Sequence, residues 1–206
     1  PGSYCREGAA AALPCAAGTY QNKTMLQLGL SMTGPNDCLE CPPGSACGTG
    51  AVEQSKCSPG TVQPLGGKGA CVKCAAGTYQ AHEGEQECVA CVPSSYCPQG
   101  AAAALPCAEG SYSEATDLGS EEECTETNPG YFAPTGSTKQ TPCSPGTVAP
   151  NPGMGACLKC EAGKFQAEPG KEQCDPCTPG SYCAAGAAAA LPCAAGTYQN
   201  KTMLQL

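Results

Sequence analysis

Twenty cysteines lie along 206 residues, and their spacing is where chemistry would have to reside. The pairs Cys71-x2-Cys74 and Cys88-x2-Cys91 are thirteen residues apart, and Cys157, Cys160, Cys174 and Cys177 repeat the arrangement. Four thiolates so placed resemble a zinc-ligand set, although the spacing is just short of the usual four-cysteine ribbon. A zinc reading leaves Cys97, Cys107 and the other cysteines without a role. It also offers a single histidine, His82, which sits in the polar stretch AHEGEQEC and reads as a solvated hairpin tip. C-x2-C can be a redox motif, but no βαβ pattern surrounds it here. There is no nucleophile elbow, and LGGKGAC lacks the spacing of a phosphate loop, so the expectation is no enzyme, no cofactor and no metal. The acidic run Glu121, Glu122, Glu123 has no calcium-loop spacing and reads as a solvated tip. The chemistry that remains is the disulfide.

Composition agrees. Gly 27 and Pro 20 approach the range of disordered chains, tryptophan is absent and phenylalanine occurs twice, so a large apolar core is not expected. Cysteine at this density is the mark of small secreted scaffolds, here implying several small units in series and an extracellular setting. A net charge of −8 argues against binding nucleic acid through its phosphates. No apolar run approaches the ~20 residues that cross a bilayer, so no membrane insertion is expected of this segment. The opening PGSYC falls inside a motif, which suggests a piece of something longer.

Repeats organise the rest. Residues 179–206 duplicate residues 1–28 at an offset of 178, with only Arg6/Ala184 and Glu7/Ala185 differing. Within that period the block C-x2-C-x5-C-x9-C occurs at Cys38, Cys41, Cys47, Cys57, at Cys88, Cys91, Cys97, Cys107, and at Cys174, Cys177, Cys183, Cys193. A degenerate block, 124–143, keeps Cys124 and Cys143 and holds Thr127 and Ala133 where the middle cysteines would be. Three segments follow: 1–37, the end of one block plus a long linking loop; 38–123, a first half-repeat; and 124–206, a second.

Two cysteines missing together suggest that they normally bond each other, which gives Cys41–Cys47, Cys91–Cys97 and Cys177–Cys183. The others then pair with near neighbours: Cys15–Cys38, Cys57–Cys71, Cys74–Cys88, Cys107–Cys124, Cys143–Cys157 and Cys160–Cys174. Cys5 and Cys193 are left over, and the 178-residue offset puts the partner of each outside the fragment. Spacing alone does not fix connectivity.

Each larger loop opens with a turn phrase, such as CAAGTYQ at Cys15, Cys74 and Cys193 or CSPGTV at Cys57 and Cys143. Glycine supplies the turn and the β-favouring residue after it starts a short strand, so each phrase reads as a small hairpin stapled at its base. In that setting the thrice-repeated GAAAALPC is not a helix, since glycine precedes and proline follows the alanines. GAVEQSKC and GSTKQTPC keep its length without its alanines, so it reads as a spacer of fixed length, small enough to lie against its neighbours. Tyr20, Tyr79, Tyr112, Phe165 and Tyr198 share one place after the turn glycine, and Tyr4, Tyr96 and Tyr182 each precede a block cysteine. Packing against the adjacent disulfide is favoured for them over a sugar-binding stripe.

Cys-x-x-Gly-Thr-Tyr followed by C-x2-C and then PGSYC resembles the ephrin-receptor-like cysteine-rich repeats, which in turn look like tumour-necrosis-factor-receptor modules. The resemblance covers nearly all of the chain, with 124–143 departing from it. It implies a small disulfide-rich fold with little regular secondary structure, an elongated tandem array of short disulfide-stapled β-hairpins. Similar arrays occur in large secreted proteins of algae and protists, including those of flagellar mastigoneme filaments, and the near-identical long period resembles that class.

The expected function is therefore structural: a repeat unit of a secreted extracellular filament, flagellar or at the cell surface, assembling with copies of itself or with other filament glycoproteins. The alternative is a ligand-binding ectodomain of an adhesion or signalling receptor, though receptors tend to diversify their modules. Asn22 in NKT and its duplicate Asn200 are sequons for an N-linked glycan. The loop between Cys15 and Cys38 also holds Met25, Leu26, Leu28, Leu30 and Met32, more apolar side chains than a small hairpin buries. They are expected to dock on a neighbouring chain or module.

Overall fold

A turn glycine, two strand residues and a returning pair that ends at a cysteine leave room for very short strands only. The computed structural model describes residues 1–198, and within them every strand is two residues long and every sheet is a single pair. Thr61–Val62 pairs antiparallel with Val72–Lys73, Thr78–Tyr79 with Val89–Ala90, and Thr147–Val148 with Leu158–Lys159. Hairpins of this size do not hold in water unaided. Each is the product of a turn, a disulfide and its neighbours.

The turn is encoded locally. At Ser58–Thr61 the Thr61 amide donates to the Ser58 carbonyl at 3.0 Å, and the Thr61 hydroxyl donates to the same oxygen at 2.7 Å. Pro59 and Gly60 (φ +82°) fill the two central places, the residue pattern of a type II turn. The base is covalent. Cys15–Cys38, Cys41–Cys47, Cys57–Cys71, Cys74–Cys88 and Cys91–Cys97 are bonded in the first part of the chain, and Cys107–Cys124, Cys143–Cys157, Cys160–Cys174 and Cys177–Cys183 in the second. The chain is thus a tandem array of disulfide-stapled hairpins, and the thiols of both C-x2-C sets are spent on disulfides.

Within each compact unit, successive hairpins are joined by two rails of backbone hydrogen bonds. Along the first, a turn glycine donates to the carbonyl three residues past the next turn glycine: Gly44 to Gln63 and Gly60 to Gln80, both at 2.7 Å. Along the second, a buried cysteine donates to a turn glycine's carbonyl, and a later tip glycine donates to that cysteine's carbonyl. Cys57 reaches Gly44 at 2.9 Å, and Gly84 reaches Cys57 at 2.9 Å. These bonds consume the polar groups that such short sheets would leave unpaired.

Two compact units are formed. The first comprises Pro1–Val92, Tyr96–Leu105 and Asp117–Ser120, and the second comprises Pro93–Ser95, Pro106–Thr116 and the described residues from Glu121 onward. In the first, Tyr79 and Ala101 pack on the Cys91–Cys97 bond, and Ala101 is buried. Tyr79 therefore packs on a disulfide belonging to the next block. An isolated parallel bridge joins Tyr79 to Ala101, and the Gln80 amide donates to the Ala101 carbonyl at 3.1 Å. In this copy of GAAAALPC, Ala101 and the half-buried Ala104 thus lie against a neighbouring disulfide, and only Ala102 and Ala103 are exposed spacer residues. In the second unit the same rails run from Gly130 to Ala149 and from Gly146 to Gln166, each at 2.7 Å. Phe165 bridges Ala187 as Tyr79 bridges Ala101.

Sulfur replaces the conventional apolar core. Thr127 apart, the fully buried larger side chains are all cysteines: Cys15, Cys41, Cys47, Cys57, Cys74, Cys91, Cys97, Cys107, Cys143 and Cys160. Three glutamines brace hairpin tips from within. The buried Gln80 donates through Nε2 to the Glu87 carbonyl at 2.8 Å and accepts from the His82 amide at 3.0 Å, while His82 itself is exposed. Gln63 and Gln166 do the same in their own loops.

Candidate functional site

The Cys15–Cys38 bond closes the longest disulfide loop, a sequence separation of 23, and this loop departs most from the hairpin plan. It opens with a short helix, Lys23–Gln27, that the sequence reading missed. The signals were present. Asn22 is its N-cap, with Oδ1 accepting the Met25 amide at 3.2 Å. Gly29 (φ +74°) closes it: its amide donates to Leu26 at 3.1 Å and the Leu30 amide donates to Met25 at 2.9 Å, the two bonds of a Schellman ending. An Asn and a Gly bracketing KTMLQL were legible as helix boundaries.

Three contacts clamp the loop. Met32 is buried with Tyr4, Cys15 and Cys38, and its carbonyl accepts the Cys5 amide at 3.0 Å. Asp37 Oδ2 accepts the Thr33 amide at 2.7 Å and the Gly34 amide at 2.9 Å, beside the 3-10 turn Pro35–Asp37. Those backbone donors favour the carboxylate and hold Asp37 below its ordinary pKa. Lys23 Nζ meets Glu53 Oε2 at 2.8 Å, an exposed pair that lowers the Glu53 pKa.

The clamps divide the five apolar residues expected to act together. Met32 faces its own disulfide, which removes it from the docking set: a side chain in the loop's own core cannot also reach a neighbour. Met25 is half-buried. Leu26, Leu28 and Leu30 remain in solvent, at 43%, 71% and 52% exposure. Three leucines on a pinned loop can bind by apolar contact. Among the described residues no group of three or more His, Cys, Asp or Glu is placed to hold a metal ion.

Of the remaining candidate residues, Asn22 sits in this loop and Cys5 is tied to it through its amide. Cys5 is exposed and Cys193 half-buried, both as free thiols. Asn22 is half-buried at the helix N-cap, whereas Asn200 lies outside the described residues. Among those residues no helix is long and apolar enough to cross a membrane. No protein-family model matches the chain, and no curated protein matches it.

Proposed function

We propose that the chain is a structural repeat unit of a secreted extracellular filament of the mastigoneme kind, acting by assembly and not by catalysis. The observation that carries this reading is the clamped loop with its three exposed leucines. Its first part, Cys15 to Leu28, returns at the 178-residue offset as residues 193–206, so the start of the motif with two of its leucines recurs at a fixed interval. The density of disulfides is typical of extracellular proteins. The partner is another copy of the chain or another filament glycoprotein, and Leu26, Leu28 and Leu30 set the register of contact. Asn22 carries an N-linked glycan in this reading. Its Oδ1 is engaged by Met25, while Nδ2, the atom that bonds the sugar, takes no part in that bond, and Thr24 of the sequon is exposed.

Electron microscopy of native material, with and without Leu26→Ser, Leu28→Ser and Leu30→Ser together, tests the reading. These changes leave Asn22, Gly29 and Met32 in place. Filaments are expected from the native protein, and loss or loosening of their axial register from the variant. Unchanged filaments from the variant would remove the docking role. A dispersed native protein would remove the filament and favour a ligand-binding ectodomain. Mass spectra showing native Asn22 unmodified would remove the glycan.

A further inference from the structure

The disulfides join cysteines close in sequence, so the covalent path through the array bypasses much of the chain. A load reaching Cys57 crosses to Cys71, steps three residues to Cys74, crosses to Cys88 and steps three more to Cys91. Between Cys47 and Cys57 the path must follow ten residues of unbridged chain. In the second unit the run from Cys124 to Cys143 is nineteen residues, with no bond to shorten it.

The missing clip has been replaced without disturbing the fold. Where other blocks bond their middle cysteines, Thr127 and Ala133 are buried at 1% and 0% exposure. Both rails pass through them. The Thr127 amide donates to Gly110 at 2.9 Å, the Gly153 amide donates to Thr127 at 3.0 Å, and the Gly110 amide donates to Ala133 at 2.7 Å. Thr127 Oγ1 also accepts the Met154 amide at 3.1 Å. At rest the block matches its bonded counterparts. Its difference is exposed only when its ends are pulled apart, because hydrogen bonds and packing alone then resist.

We propose that residues 124–143 are the extensible link of the chain, opening and reclosing under tension while the clipped hairpins beside them stay shut. This rests on the disulfide map and does not require that the chain form filaments.

Single-molecule pulling under non-reducing conditions tests it, with handles attached by chemistry that spares cysteine. Handles at exposed Glu109 and Glu161 enclose the nineteen-residue run and otherwise only steps of three residues or fewer. Handles at Leu39 and Ser58 enclose the ten-residue run in the same way. The first pair is expected to show a reversible step approaching ~65 Å less the native span, at lower force than the shorter step of the second pair. Thr127→Cys with Ala133→Cys, once peptide mapping shows the new bond, is expected to cut the first step by about a third, since six of nineteen residues leave the path. Opening at a force equal to or above that of the ten-residue run overturns the proposal, as does failure to reclose. If the double variant leaves its thiols unbonded, the comparison of the two wild-type handle pairs still decides.

Discussion

Single residues here are judged by what backbone comes near them. A Cβ built on Gly130 (φ +83°) would collide with the Gly170 carbonyl, whereas at Gly136 (φ +72°) the nearest atom is Pro106 Cβ at 3.6 Å. Both substitutions to alanine bear the left-handed penalty of about 1–2 kcal/mol. Gly130→Ala should lose a further ~1–3 kcal/mol, the scale of an overpacked contact. Thermal unfolding of the two variants side by side checks this, and equal losses would mean that the close approach is not energetically felt. Ser94 holds φ +62° where sister blocks have glycine, as in Gly44 and Gly180, so Ser94→Gly should raise stability by about 0.5–1 kcal/mol. Asp37 gives a pH prediction with a definite sign. Its pKa is lower folded than unfolded, so its stabilisation is present above the ordinary carboxylate pKa and fades as pH falls through the folded value. The protection factors of the Thr33 and Gly34 amides, taken against their intrinsic exchange, should therefore fall in acid below about pH 4, and Asp37→Asn should abolish that dependence. The sequence made the glycines visible as turn residues. It could not show that a carbonyl forty positions on would lie against Gly130, because such contacts depend on how turns stack.

At the scale of the hairpin, the brace matters more than the strands. Gln80 is the third residue after its turn glycine, and Gln63 and Gln166 hold the same place. Gln80→Ala should leave the Glu87 carbonyl and the His82 amide without their partner, a cost of about 1–3 kcal/mol. The His82 amide should then exchange faster with solvent. Unchanged exchange would show that the tip is ordered by its disulfide alone. Removing Cys57 and Cys71 together should cost about 3 kcal/mol, the scale for a loop of this length. Chemical denaturation of the double serine variant measures it. The hairpins and their staples were readable because turn glycine, strand pair and closing cysteine are contiguous signals, and the degenerate block disclosed which cysteines belong together. Four features were not read. The helix at Lys23–Gln27 was hidden by its brevity, though its caps were in view. The glutamine brace looked like any polar residue in a loop. Met32 was indistinguishable from Leu28 by type, and only the fold-back onto Cys15–Cys38 separates a core methionine from an exposed leucine. Ala101 seemed interchangeable with the alanines behind it until Tyr79 and the Cys91–Cys97 bond were found against it.

Over the whole molecule, each of the two compact units coheres serially. Sulfur fills its interior and the rails tie its hairpins to those beside them, so each unit behaves as stacked hairpins whose stabilities depend on nearest neighbours. Reduction should therefore melt the fold as a whole. A reducing agent at neutral pH is expected to collapse amide dispersion in NMR spectra, and persistence of native spectra after complete reduction would contradict a sulfur-built interior. The array was legible from the period of the cysteines, whereas the course of the rails was not, because main-chain donors and acceptors leave no trace in residue type. That same neutrality has a genetic consequence. The bonds that join one hairpin to the next are made by peptide groups, which every residue except proline supplies in full. A coding sequence with near-identical stretches 178 residues apart is prone to unequal crossing-over, and an exchange in register would add or delete a whole period. Each new junction would meet the same amides and carbonyls as the old one. Chain length can then drift between lineages, or between alleles, by whole periods and without a compensating substitution.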